Sequence, residues 1–115
     1  MTELAEKHCK ACEGGVAPLT KEEALKYNAR LDNWQLDSDY KHLSKTLAFK
    51  NYYHTMAFVN AIAWMAHAEN HHPDLEVSYN QCVVHYTTHA IGGLSENDFI
   101  CAAKVDEILR QKTGK

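Results

Sequence analysis

At 115 residues and 45% hydrophobic content, the chain is sized for one compact domain whose core needs no staples. Its formal net charge of −3 offers no basic stripe or arm, which excludes direct nucleic-acid binding and attraction to an anionic membrane surface. No run is long enough to span a membrane and the N-terminus has no secretory pattern, so Cys9, Cys12, Cys82 and Cys101 are expected as reduced thiols in a cytoplasmic protein.

Residues 1–17 read as a flexible leader ending in Gly14-Gly15, ahead of a single domain over 18–115. Thr20-Lys-Glu-Glu23 has the form of a capping box, and Ala24, Tyr27 and Leu31 follow at helical spacing. Trp34–Leu36 reads as a short strand, Asp37-Ser38-Asp39 as a turn, and His42–Phe49 as a strand with Leu43, Leu47 and Phe49 on one face, Lys45 being the exception. Asn51 is a candidate N-cap for a long helix with the stripe Met56, Val59, Ile62, Ala63 and Ala66, widened by Phe58 and Met65. That helix must stop near Asn70, because Pro73 disfavours the helical conformation at His72. Leu75, Val77 and Tyr79 alternate as a strand, Asn80-Gln81 is the expected hairpin turn, and Cys82–Thr88 is the return strand. Gly92-Gly93 breaks the chain, and Ser95 caps a last helix with the stripe Cys101, Ala102, Val105, Ile108 and Leu109. The order α-β-β-α-β-β-α implies an α+β fold, a four-stranded antiparallel sheet with helices packed on one face. Its exposed edges favour self-association.

Histidine is the compositional oddity. There are 8, five of them between His67 and His89. If the second hairpin folds about Asn80-Gln81, His72 and His89 stand equally far from the turn, and His71 lies beside them. A cluster of imidazoles can supply both an acid and a base near neutral pH. The macrodipole at a helix C-terminus would favour the cationic form of His71 and His72. Asp98 also has a purely structural reading, as the acidic member of a Ser95-x-x-Asp98 capping box, and Tyr79 reads equally well as core. His8, His42, His54 and His85 are expected on solvated faces. His8-Cys9-x-x-Cys12 is short of the four ligands of a closed zinc site and is left unassigned.

The succession His67, His71-His72-Pro73, Tyr79, His89 and Asp98 resembles the pterin-4a-carbinolamine dehydratase family, with a likeness running from about Leu19 to Leu109. The flanks Phe49-Lys50 and Gly93-Leu94-Ser95-Glu96 agree with it, whereas His67 stands where some relatives carry glutamate. The resemblance implies dehydration of the 4a-hydroxytetrahydropterin left by aromatic amino acid hydroxylases, with phenylalanine hydroxylase as functional partner. It implies His71, His72 and His89 as catalytic residues, His71 and His89 forming the acid/base pair. His67, Pro73, Tyr79 and Asp98 would be substrate-binding. No metal or organic cofactor is expected, the pterin being the substrate, and a homodimer or homotetramer is. Two other classes fit the same residues. One is a metal-dependent hydrolase using His67, His71 and His89. The other is a protein-interaction module, since animal relatives also act as transcriptional coactivators.

Overall fold

A computed structural model describes residues 4–10 and 17–110. Helices α1 (Lys21–Asn28), α2 (Tyr52–Glu69) and α3 (Glu96–Arg110) alternate with strands β1 (Gln35–Leu36), β2 (Leu43–Ala48), β3 (Asp74–Val77) and β4 (Gln81–Tyr86). Every strand pairing is antiparallel, in the order β1-β2-β4-β3. The expected α+β architecture is the one observed. Among the described residues, no helix is long and apolar enough to cross a membrane.

The capping signals act as read. Thr20 Oγ1 accepts from Glu23 N–H while the Glu23 carboxylate accepts from Thr20 N–H. Asn51 Oδ1 accepts from His54 N–H at the start of α2. The alternation in β4 also holds, with Cys82, Val84 and Tyr86 fully buried on the helix-covered face. Helix α3 is enclosed on nearly all sides over Asn97–Ala103, with α1, α2 and the leader packed against it.

Four details depart from the sequence reading. In the second hairpin, Ser78 pairs with Gln81 and leaves Tyr79-Asn80 as the two-residue turn. The reason lies in the neighbouring strand: Asn80 C=O accepts from Phe49 N–H at 2.8 Å, continuing the β2–β4 ladder into the turn. Moving the turn by one residue moves the register by two, which preserves the inward face. In α2 the buried line is Thr55, Phe58, Ile62, Met65 and Ala66, while Met56 and Val59 are half-buried and Ala63 is exposed. Packing of Phe58 against Phe49, 5.1 Å between centroids with the rings tilted by 35°, sets that rotation. Lys45 does point inward, because Asp106 receives it. The leader is docked over residues 4–10, not loose there. Leu4 is buried against α3, Lys104 Nζ donates to Ala5 C=O at 2.7 Å, and Lys7 pairs with Glu96. Gly14-Gly15 and Cys12 lie outside the described residues.

Candidate active site

Helix α2 ends at Asn70, which adopts the left-handed conformation (φ 54°, ψ 40°) that asparagine tolerates well. That corner turns the chain sharply, and His71 N–H still reaches back to Ala66 C=O at 3.1 Å. His71 is thereby directed onto the inner end of the sheet, where its ring stacks nearly parallel on Tyr86, 5.8 Å between centroids and 8° apart. Its Nε2 meets Asp98 Oδ1 at 2.7 Å.

Asp98 is completely buried, and its other oxygen accepts from Thr88 Oγ1 at 2.7 Å and from Ser95 N–H at 3.0 Å. A carboxylate so placed can only accept, so the proton of a neutral His71 sits on Nε2. Nδ1 is then the nitrogen without a hydrogen-bond partner among the described residues. It can take up a proton while Asp98 balances the charge, the same logic by which a buried aspartate orients a general base. The Tyr86 hydroxyl is no competing base: burial, and then the neighbouring Cys101, push its pKa well above the ordinary phenol value.

His71, His72 and His89 line one pocket of about 560 Å³, together with Thr87 and Thr88. The other wall comes from the docked leader and the end of α2, through Cys9, Lys10 and Glu69. His89 stands in a short 3₁₀ turn, His89–Ile91, closed by Gly92 at φ 68°. Its Nε2 lies 4.0 Å from Asp74 Oδ2, and both side chains are largely exposed, so this wall is held far more loosely than that of His71.

The remaining residues singled out in the sequence divide. His67 and Pro73 line an adjoining apolar groove of about 380 Å³ with Ile62, Ala63 and Leu75, a groove that His71 and His72 also border. Asp98 sits behind His71, out of the pocket, and fills its capping role as well. Tyr79, in the turn at the far end of β3 and β4, is largely exposed and lines neither hollow. His8, His42 and His54 are exposed and His85 is half-buried on the outer sheet face, paired with Glu76. No group of three or more His, Cys, Asp or Glu among the described residues is disposed to hold a metal ion.

Three contributors escaped the sequence reading. Thr88 could have been found, since it continues the inward alternation of Val84 and Tyr86. Glu69 and Asn97 could not, because each is engaged by the leader, some 60 or more positions away in the chain. Glu69 Oε1 accepts from Cys9 N–H at 2.8 Å, and Asn97 exchanges hydrogen bonds with Lys10 N–H and C=O.

The model of the family described as pterin 4 alpha carbinolamine dehydratase matches residues 17–108. This chain belongs to that family. A Nitrosomonas eutropha protein, provisionally named a pterin-4-alpha-carbinolamine dehydratase, is 64% identical over 93% of this chain and 94% of its own length. A Legionella pneumophila protein with the same provisional name is 52% identical over 94% of this chain and 96% of its own. Among solved structures, a transcriptional coactivator/pterin dehydratase from Brucella melitensis superposes with a TM-score of 0.76 at 28% identity, covering 79% of this chain and 97% of that one. The match to the family model starts at Ala17, so the docked leader that walls the pocket lies outside the matched residues.

Proposed function

We propose that this chain dehydrates a 4a-hydroxytetrahydropterin to the quinonoid dihydropterin plus water, using histidines for proton transfer. The observation that carries the reading is the His71–Asp98 pair, opening on a pocket that also holds His72 and His89. Hydroxide is a poor leaving group, so the C4a oxygen must gain a proton as its bond to carbon breaks. A ring nitrogen must lose one as the new double bond forms. His71, oriented by Asp98, is suited to accept the ring proton at Nδ1. His89, on the facing wall, is suited to protonate the departing hydroxyl as an imidazolium, and His72 to bind the pterin. This chemistry needs no metal and no organic cofactor, and it would return the pterin of an aromatic amino acid hydroxylase such as phenylalanine hydroxylase to its reduction cycle.

The deciding experiment follows the catalysed rate on enzymatically generated carbinolamine across pH, with spontaneous dehydration subtracted. A bell is expected, limited on the acid side by the base and on the alkaline side by the acid. His71→Gln should lose ~10²-fold in rate and the acid limb, His89→Gln a similar factor and the alkaline limb. A flat wild-type profile would leave the histidines as binding groups only.

Self-association belongs to the same proposal. Strand β3 is an open edge, Val77 is exposed on it, and Tyr53 and Trp64 stand exposed on α2, 82% and 74% accessible. Edges and apolar faces of this kind are normally covered in a stable protein. A homodimer or homotetramer is therefore expected by light scattering at micromolar concentration, and a monomer mass would refute it.

A further inference from the structure

Cys9 and Cys101 meet where the leader crosses α3. Their sulfur atoms are 3.4 Å apart, although 92 positions separate them in the chain. Cys101 is fully buried on a rigid helix, with its sulfur 3.9 Å from the His71 carbonyl oxygen. Cys9 is half-buried, lines the pocket and lies in a stretch without regular secondary structure. A disulfide needs ~2.05 Å between sulfurs, so closing the gap asks for roughly 1.4 Å of movement. The extended leader segment can supply that movement more readily than α3 can.

We infer that Cys9 and Cys101 form a reversible intramolecular disulfide, a modification site that fastens the leader to α3 along the pocket wall. The proposal is independent of the reaction assigned to the pocket. A hydroperoxide is the oxidant class the geometry admits, because it is small and Cys9 is a half-buried residue of the pocket wall. Peroxide oxygen transfers to the Cys9 sulfur, giving a sulfenic acid and releasing one water. The Cys101 sulfur then attacks the Cys9 sulfur, the S–O bond breaks, and the hydroxyl leaves with the Cys101 proton as a second water. Two thiols are oxidised by two electrons and one peroxide is reduced. Cys101 is enclosed and Cys9 is not, so Cys9 is the thiol an oxidant reaches first and Cys101, with its sulfur already in contact, is the resolving partner. Cys82, buried in β4 and without a sulfur partner among the described residues, serves as an internal control.

The test treats the full chain with hydrogen peroxide near one equivalent, blocks remaining thiols and maps disulfide-linked peptides by mass. The expected result is a Cys9–Cys101 bridge within one chain, Cys82 still reduced, and a Tm raised by roughly 10 °C that dithiothreitol reverses. Cys9→Ser, at a half-buried position, should abolish bridge and shift, and Cys12→Ser should keep both. A Cys9–Cys12 bridge, a bridge between chains, unreacted thiols or oxidation of Cys9 to the sulfinic acid without a bridge would each overturn the proposal.

Discussion

Helix α3 buries two aspartates about two turns apart, and they do different things. Asp98 and Asp106 are 0% and 3% exposed. Each has two oxygens engaged and each faces a basic side chain at under 3 Å. Asp106 Oδ1 accepts from Lys45 Nζ at 2.9 Å and from Trp34 Nε1 at 2.9 Å, and its Oδ2 accepts from Asp32 N–H. Lys45 also donates to Asp32 C=O and lies over the Trp34 ring, so the loop before β1, strand β2 and α3 are joined in one sealed cluster. Asp98 holds an imidazole, whose second nitrogen remains available and whose ring borders a pocket. Burial and an ionic partner are common to both sites. What separates structure from chemistry is whether the partner can exchange a proton, and with what.

The comparison can be broken by exchanging each carboxylate for its amide. The largest effect is expected at the sealed end. Asp106→Asn leaves Lys45, whose side chain is 11% exposed, as a largely enclosed cation without its counter-charge and should cost about 3–5 kcal/mol in stability, read by denaturant unfolding. Turnover per folded molecule should be unchanged. Asp98→Asn should do the reverse, lowering the rate of the proposed dehydration by at least ~10²-fold, about 2.7 kcal/mol on the barrier, with a smaller loss of stability. An amide can present its NH₂ to Nε2 and favour the wrong tautomer, so the pH profile should also change shape. Equal losses of rate in the two variants would erase the distinction.

A third and smaller effect concerns Glu69, which binds the leader through Cys9 N–H and His8 and lies 3.6 Å from Lys104. Burial alone would raise its pKa, but those hydrogen bonds and the Lys104 charge hold it below the usual glutamate value. A carboxylate depressed on folding stabilises the docked state fully above its unfolded pKa, and the contribution disappears as pH falls through the folded value. Leader docking should therefore weaken in acid before the domain melts. Glu69→Gln should reproduce the weakening at neutral pH by about 1–2 kcal/mol, seen as faster hydrogen exchange at Cys9.

Much of this was readable in the chain because local rules dominate where elements begin and alternate. Thr20, Asn51 and the Cys82-Val84-Tyr86 alternation each depend on neighbours close in sequence. The meeting of His71, His72 and His89 was legible for a related reason: a hairpin brings positions equidistant from its turn together, and a two-residue register change leaves them near one another. The rotation of α2 was not legible, since Phe49 decides it from another element. Lys45 looked anomalous in β2 because its explanation, Asp106, lies 61 positions away. The docking of the leader was hidden for the same reason, as Glu69, Asn97 and Lys104 become receptors only when the fold is complete. Tyr79 shows the converse, a residue placed by family register that this fold sets at the opposite end of the strands.

Gly93 has an evolutionary consequence. A Cβ added there would stand 2.7 Å from Pro18 Cβ, part of a rigid ring that cannot swing aside. Thr88 N–H donates to Gly93 C=O at 2.9 Å, and Leu19 N–H donates to Leu94 C=O at 2.8 Å, so neither segment is free to retreat. Alanine at 93 is therefore closed to a lineage that still carries proline at 18, and it opens only after that ring is lost. Substitutions at the two positions should be accepted in one order and rejected in the other, a historical contingency written into the contact of one ring with one missing methyl group.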